Sequence, residues 1–239
     1  TAVQKIFIKA GLNVFKIEEL SKKFGKNEVL KNVNLQFSKG CTYGIVGENG
    51  AGKTTLFRCI AGLDNYEGKI TADFNPLKNH LGLLLTESFI FSKITGKEYI
   101  RLLCNARDIS NVDFERKNIF DLPLDQYAST YSTGMKKKLA LTAILLQEND
   151  YFILDEPFNG VDIQSNIVLT EIIKELKKLN KIVLISSHIF STLNTICDEI
   201  HLLQKGQEIK TVQKEGFKAL EEEMIKISLG NRVKELELK

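Results

Sequence analysis

Residues 47–55 carry the clearest chemistry in this sequence. They read Gly-Glu-Asn-Gly-Ala-Gly-Lys-Thr-Thr, which fits the phosphate-loop pattern of a glycine-rich turn followed by lysine and a hydroxyl residue. Glycines let the backbone turn tightly, so successive N–H groups can face phosphate oxygens at the positive end of a following helix. Lys53 would reach the β- and γ-phosphates, and the Thr54 hydroxyl would bind Mg²⁺. We therefore predict that the protein binds a nucleoside triphosphate.

The apolar, β-prone run at residues 41–46 supports this prediction, because it supplies the strand that should precede the loop. The alternative is an ordinary glycine-rich turn between a strand and a helix. The residues that we expect to contact the nucleotide here are Gly47, Asn49, Gly50, Ala51, Gly52, Lys53, Thr54 and Thr55.

Two carboxylates, Asp155 and Glu156, end the apolar run of residues 151–154. A carboxylate at the carboxyl end of a strand beside a phosphate loop can hold Mg²⁺. The next carboxylate can polarise the attacking water as a general base. Taken alone, the pair fits a solvated strand end equally well. The phosphate loop upstream favours the functional interpretation, with Asp155 as a metal ligand and Glu156 as the base.

The segments around these motifs alternate between strand and helix patterns. Strands are predicted at residues 14–20, 33–37, 41–46, 68–72, 151–154 and 182–186, and a closing hairpin at 200–210. Helices are predicted at residues 53–62, 95–107, 111–122, 134–147 and 163–179. Thr95 and Glu98 have the spacing of a capping box. This alternation indicates an α/β fold, in which helices flank a mainly parallel sheet.

The order of the elements predicts one domain with an insertion. A nucleotide-binding core would comprise residues 14–86 and 151–210. Residues 87–150 would form a helical lobe inserted between the two nucleotide motifs. Residues 211–239 form a charged, weakly amphipathic tail.

Composition limits the possible partners. The chain has 239 residues, 43% of them hydrophobic, and its formal net charge of +3 is too small to suggest nucleic acid. No apolar stretch approaches the ~18 residues needed to cross a bilayer, and residues 1–13 do not resemble a secretory leader. The cysteines lack metal-type spacing, so we expect free, buried thiols in a reducing compartment. They are Cys41, Cys59, Cys104 and Cys197.

Three further motifs follow the phosphate loop in a characteristic order. Residues 131–135 read Tyr-Ser-Thr-Gly-Met, residues 157–162 read Pro-Phe-Asn-Gly-Val-Asp, and residues 186–188 read Ser-Ser-His. Over residues 14–210 the chain resembles the nucleotide-binding domain of an ATP-binding cassette (ABC) transporter. The resemblance implies a phosphate-loop NTPase core with an N-terminal antiparallel β subdomain and an inserted α-helical subdomain. It also implies ATP and Mg²⁺ as the ligands.

The resemblance gives these motifs expected roles. Ser132 and Gly134 would cap the γ-phosphate bound by the opposite subunit, and Asp162 would lie in the loop that crosses the dimer interface. His188 would sense the γ-phosphate, and Phe24 would stack on adenine. The residues themselves leave alternatives open, since Ser132 fits an ordinary helix cap. His188 fits a structural histidine, and Phe24 fits a loop or core position.

The chain departs from the family pattern at several positions. Thr86 stands where the family usually has a glutamine that contacts Mg²⁺ and relays the state of the site to the membrane partner, and Glu87 is an alternative for that role. Thr133 replaces a glycine and Met135 a glutamine. With Thr-Gly-Lys-Glu at residues 95–98, this variant resembles exporters of the ABC-2 type. The lysines at 136–138 are expected on a solvated helix face.

We therefore expect an ATP-hydrolysing subunit that closes as a head-to-tail dimer on ATP–Mg²⁺ and drives transport, with export expected. Its partners would be a membrane subunit on a separate chain and a second ATPase subunit, identical or different, at the cytoplasmic face of the membrane. The cargo site would lie in the membrane partner. The alternatives are a soluble ABC ATPase that assembles a cofactor or complex, and a regulatory module that holds ATP without cleaving it. Glu156 and His188 argue against the last.

Overall fold

A computed structural model describes residues 14–229 as two sheets with helices around them. The smaller sheet is antiparallel and has the strand order β2-β1-β4. Its strands are β1 (Val14–Phe24), β2 (Asn27–Ser38) and β4 (Glu67–Thr71). It is the antiparallel β subdomain that the family resemblance implies.

The larger sheet has six strands in the order β5-β6-β7-β3-β8-β9. The strands are β3 (Thr42–Val46), β5 (Leu81–Leu84), β6 (Tyr151–Asp155), β7 (Ile182–Ser186), β8 (Glu199–Gln204) and β9 (Gln207–Gln213). The first five in the spatial order run parallel, and β9 returns antiparallel to β8. The carboxyl ends of β3, β6 and β7 therefore meet at one edge, where ligands bind in open parallel sheets.

Seven α-helices lie among the described residues, and none of these is long and apolar enough to span a membrane. They are α1 (Lys53–Ile60), α2 (Gly96–Asn105), α3 (Phe114–Lys117), α4 (Thr133–Leu146), α5 (Ile163–Lys178), α6 (Phe190–Ile196) and α7 (Phe217–Leu229).

Strand β6 separates two hydrophobic clusters, because successive side chains of a strand point to opposite faces. Phe152 and Leu154 join a cluster that contains most of the apolar side chains of α2 and α4. Tyr151 and Ile153 join a second cluster, formed largely by α1 and the antiparallel sheet. The strand is buried on both faces, so its sequence is almost wholly apolar.

Most predicted elements agree with the structure to within a few residues. The capping box is confirmed: the Thr95 hydroxyl accepts a hydrogen bond from the Glu98 N–H, and the Glu98 carboxylate accepts one from the Thr95 N–H. The hairpin at 200–210 is also confirmed. Strand β5 and helix α6 were not predicted.

The predicted helix at 111–122 is wrong, because only the four residues of α3 are helical. The Asn118 side chain bonds both the N–H and the carbonyl of Leu122, at 3.0 and 2.8 Å, and so closes a turn instead. Asparagine competes with helical hydrogen bonds in this way. Asp121 inside the turn has a φ of +49°, outside the helical region.

Two other predictions concern the cysteines and the tail. All four cysteines are free, as predicted, but Cys41 is only half-buried. Burial raises the pKa of the Cys59 thiol to about 11 and raises the pKa of Cys197 as well, which keeps these thiols protonated and inert. In the tail, α7 buries Phe217 and Leu220 against the main core. Residues 230–239 lie outside the described residues.

Candidate nucleotide site

The phosphate loop connects β3 to α1 and requires glycine at its first position. Gly47 has a φ of +155°, and a Cβ built there would lie 2.2 Å from the carbonyl oxygen of Leu203. No side chain caps the first turn of α1, which follows Gly52. The amino-terminal N–H groups of that helix are therefore free to bind an anion.

Lys53 is the first residue of α1, and its side chain is buried inside the loop. Its ammonium donates to the carbonyl oxygens of Gly47 at 2.7 Å and Glu48 at 3.1 Å. Burial lowers the pKa of Lys53, and the negative charges of Glu156 and Asp155 oppose that shift. A positive charge thus lies within the turn that the loop forms.

Three hydroxyl groups converge on the buried carboxylate of Asp155 at the end of β6. Thr54 and Thr86 donate to the same oxygen, Oδ2, at 2.7 and 3.0 Å. Ser186, at the end of β7, donates to Oδ1 at 2.6 Å. Of the three predicted metal ligands, Thr54 and Thr86 therefore both contact the third, Asp155.

The donor set suits Mg²⁺, which prefers hard oxygen ligands. Only one of the three side chains is charged, and the described residues contain no group of three or more His, Cys, Asp or Glu side chains that could hold a metal by themselves. A site of this kind fits an ion that is shared with substrate phosphates and water. It does not fit an ion held in an all-protein cage.

Glu156 directly follows the metal candidate and has a strained backbone, with a φ of +50°. Its N–H donates to the Ser186 hydroxyl at 2.9 Å and lies 3.2 Å from the Ser186 carbonyl. Its Oε1 atom is 2.9 Å from Nε2 of His188. That contact does not meet hydrogen-bond geometry, so the buried Oε1 has no donor. The carboxylate can therefore accept a hydrogen bond from a water molecule or from a reoriented His188 ring.

The segment 131–135 leads into helix α4. Ser132 is exposed and caps the helix by accepting a hydrogen bond from the Met135 N–H at 3.2 Å. A Cβ on Gly134 would lie 2.4 Å from the Gly160 carbonyl oxygen, so glycine permits close packing against the loop 156–162. Among the described residues, no hydrogen bond joins Ser132 or Gly134 to the phosphate loop of the same chain.

Asp162 and Phe24 complete the predicted set. Asp162 caps α5 by accepting from the Ser165 N–H at 2.8 Å, and it pairs with Lys138 at 3.0 Å. These contacts hold the pKa of Asp162 well below its usual range. Phe24 ends β1 with 50% of its surface exposed, and the Lys22 ammonium lies 4.6 Å from its ring centroid. One ring face therefore already contacts a cation.

These features match one protein family. The family profile described as ABC transporter matches residues 30–159, which is more than half of the chain. The chain belongs to the ABC transporter family. It is an ATP-hydrolysing, ATP-binding subunit of an ABC transporter.

Relatives and solved structures agree with the family assignment. The ABC transporter ATP-binding protein NatA of Bacillus subtilis (strain 168) is 31% identical over 199 residues, covering 76% of this chain and 80% of NatA. The lantibiotic transport ATP-binding protein SrtF of Streptococcus pyogenes is 30% identical over 223 residues, covering 87% of this chain and 95% of SrtF. A solved ATP binding subunit of an ABC transporter is 26% identical with a TM-score of 0.77, covering 84% of this chain and 90% of that one.

The prediction of a solvated lysine face on this ABC subunit is wrong. Lys137 is only 4% exposed, and its ammonium donates to the main-chain carbonyls of Glu156 and Asn159, both at 2.8 Å. The helical period could have predicted this burial, because Lys137 lies three and four residues before the apolar Ala140 and Leu141 and so shares their helix face. Its neighbour Lys138 is largely covered and paired with Asp162.

Ser186 is the other site residue that sequence reasoning missed. It was noted only as the first residue of Ser-Ser-His, but its hydroxyl links the side chain of Asp155 to the backbone of Glu156. The signal was its position at the carboxyl end of a buried strand, next to β6 in the sheet.

We expect Ser186→Ala to lower the free energy of unfolding of this ABC subunit by about 1–3 kcal/mol, because a buried carboxylate loses a hydrogen-bond donor. Denaturant titration without nucleotide measures the change. The matched control is Ser191→Ala on the exposed side of α6, which should stay within about 0.5 kcal/mol of wild type. Equal stabilities for the two variants would show that the Ser186 bond to Asp155 contributes nothing to the fold.

Proposed function

We propose that this ABC subunit works as one half of a head-to-tail dimer that closes on two ATP–Mg²⁺ and drives export through a separate membrane chain. The observation that carries the proposal is the convergence of Thr54 and Thr86 on Asp155, with Glu156 next in sequence. It brings together oxygen atoms that suit Mg²⁺ at one edge of the sheet, directly before the second carboxylate.

Within one site, we assign the first role to the phosphate loop. Residues 47–55 and the free N–H groups of α1 would bind the phosphates, and Lys53 would exchange its carbonyl partners Gly47 and Glu48 for phosphate oxygens. Thr54, Asp155 and Thr86 would hold Mg²⁺, which neutralises phosphate charge when bound.

The second role belongs to the pair of Glu156 and His188. Glu156 would accept the proton of the attacking water, since it directly follows the proposed metal ligand Asp155 and its Oε1 makes no hydrogen bond among the described residues. His188 is half-exposed and lies 2.9 Å from that oxygen, so it can contact both the carboxylate and a γ-phosphate beyond it.

Thr86 is our choice over Glu87 for the position where the family has glutamine. Strand β5 pairs with β6, so the residue two positions beyond β5 lies beside Asp155 in spite of its short side chain. Glu87 is exposed and has no bond to the metal cluster. The hydroxyl of Thr86 would therefore report the state of the site.

A second subunit would supply Ser132 and Gly134, since among the described residues neither is hydrogen-bonded to the phosphate loop of the same chain. Ser132 and Gly134 begin an exposed helix end, whose N–H groups can bind the γ-phosphate held by another chain. Asp162 caps the helix that follows the loop 156–162. Two identical chains, or two similar ones, would complete two sites.

The membrane subunit would dock on the helical insertion. A groove of about 290 Å³ is lined by residues on both sides of Thr86 in the chain and by side chains of α2 and α4, most of them apolar. At its rim Phe89 is 75% exposed and packs edge-on against Phe91, with 5.1 Å between the ring centroids. Apolar rings exposed in this way mark an interaction surface. A partner bound there would place the subunit at the cytoplasmic face of the membrane.

The proposal also includes the domain organisation of the chain and the direction of transport. The first is the division of the chain into a nucleotide-binding core of residues 14–86 and 151–210, a helical lobe of residues 87–150 and a C-terminal tail of residues 211–239. Export is favoured by the resemblance to ABC-2 exporters and by SrtF, whose name describes lantibiotic transport.

We expect Glu156→Gln to keep ATP binding and to lower turnover by about 10²–10⁴-fold, because the amide preserves size but not basicity. Phosphate release measures turnover, and a fluorescent nucleotide measures binding. Lys53→Ala is the contrasting variant, which should weaken binding itself because a charge-assisted phosphate contact is lost. Wild-type turnover in Glu156→Gln would reject Glu156 as the base.

We expect Phe24→Ala to raise the Kd for ATP by about five- to tenfold, which corresponds to a stacking contribution of about 1–1.5 kcal/mol. Phe24→Tyr keeps the ring face and should bind ATP like wild type. Nucleotide titration measures both. An unchanged Kd in the alanine variant would show that Phe24 does not stack on adenine and is an ordinary loop residue.

A mixing experiment tests whether two chains share each site. Gly134 is a poor position for it, because any side chain there would collide with the loop of its own chain. Ser132→Asp keeps a helix cap and adds a carboxylate that should repel the γ-phosphate. Ser132→Asn is the uncharged control of the same size and should remain active.

Ser132→Asp and Glu156→Gln should each have little ATPase activity alone. In a mixed dimer, the intact Glu156 of the first chain meets the intact Ser132 of the second, so one working site is restored. The mixture should therefore exceed either variant in ATPase rate, and wild-type activity should rise faster than linearly with protein concentration. No restoration, together with linear concentration dependence, would favour a self-contained site.

A further inference from the structure

Lys137 is a buried charge that none of the roles above uses. It lies in the second turn of α4, and its ammonium donates to the carbonyls of Glu156 and Asn159 at 2.8 Å each. Burial lowers the pKa of Lys137, while the negative charges of Glu156 and Asp155 favour its charged form. A buried ammonium is costly unless it is hydrogen-bonded. An apolar side chain could fill the same space without that cost.

The two carbonyls belong to a turn that is already constrained. The Asn159 N–H donates to the Glu156 carbonyl at 3.2 Å, and Glu156 has a φ of +50°. Positive φ is unfavourable for a residue with a side chain and persists only where surrounding contacts enforce it. Ser186 holds the N–H of Glu156, and Lys137 holds its carbonyl. The peptide groups on both sides of the Glu156 side chain are therefore fixed by buried partners.

We propose that Lys137 is a positioning residue for hydrolysis: its ammonium clamps the carbonyls of Glu156 and Asn159 and thereby aims the Glu156 carboxylate. This inference rests on the proposed role of Glu156 as the base. The clamp also ties the carboxylate to α4, the helix whose first turn carries Ser132 and Gly134. A shift of that helix when a second chain binds would then move the Glu156 backbone, because Lys137 is hydrogen-bonded to its carbonyl.

The test compares two substitutions at one position. Lys137→Met keeps the length and apolar stem but removes all donors, and Lys137→Gln keeps an N–H₂ group that can bond a carbonyl. We expect Lys137→Met to lower kcat by about tenfold to a hundredfold, as misplacing a catalytic group does, with the Kd for ATP unchanged. We expect Lys137→Gln to stay within about threefold of wild-type kcat, since it retains a hydrogen-bond donor.

Lys136→Met is the matched control, because it removes the same charge from the same helix. The Lys136 side chain makes no hydrogen bond or ion pair among the described residues, so we expect wild-type kcat. Thermal unfolding is followed for every variant. Should Lys137→Met fail to fold, Lys137→Gln is compared with Lys137→Ser, which cannot reach either carbonyl and should show the low kcat.

A double variant separates positioning from a general structural effect. If Lys137 acts through Glu156, adding Lys137→Met to Glu156→Gln should not lower the residual turnover further. Wild-type kcat in Lys137→Met, an equal loss in a folded Lys137→Gln, or a full additional loss in the double variant would each overturn the proposal. Failure of the base assignment is distinct, because it would appear as wild-type turnover in Glu156→Gln alone.

Discussion

The site is organised around the buried carboxylate of Asp155. It accepts hydrogen bonds from hydroxyls of three separate segments: Thr54 at the start of α1, Thr86 after β5, and Ser186 at the end of β7. The buried oxygens of Asp155 require hydrogen-bond donors, so these bonds tie the three segments to one another. The parallel order β5-β6-β7-β3 makes this possible, because it brings the carboxyl ends of all four strands to one edge. The same requirement that stabilises the fold thus assembles the oxygen atoms that suit Mg²⁺.

The sequence was sufficient for the parts of the site that depend on local pattern. The phosphate loop, the Asp-Glu pair after a buried strand and the caps at Thr95 and Ser132 each follow from a short motif. The family resemblance supplied their order and the antiparallel subdomain. Long apolar or amphipathic helices such as α4 and α5 were also predicted to within a residue or two.

What the sequence could not give depends on contacts between distant segments. Lys137 was misassigned because a run of three lysines is typical of a solvated face, and only the fold supplies carbonyls 19 and 22 residues away. The helix at 111–122 failed because a side-chain bond from Asn118 to Leu122 replaced helical bonds. Strand β5 is only four residues long, and its sequence lacks the alternation of apolar and polar residues that would predict a strand. For Lys137 and Asn118, a polar group makes hydrogen bonds that local periodicity does not encode.

The loop 156–162 connects the end of strand β6 to helix α5 and packs against the first turns of α4. Its first residue is the proposed base, its middle passes beneath Gly134, and its last residue caps α5 while paired with Lys138. Helix α4 therefore holds the loop at Lys137, at Gly134 and at Lys138, all within its first two turns. Packed interiors transmit displacement because they are nearly as dense as crystals. A second chain that displaces the exposed end of α4 must consequently move this loop, and with it the backbone that orients Glu156. The geometry of one chain thus contains a direct physical path between the surface offered to a partner and the carboxylate proposed to cleave ATP.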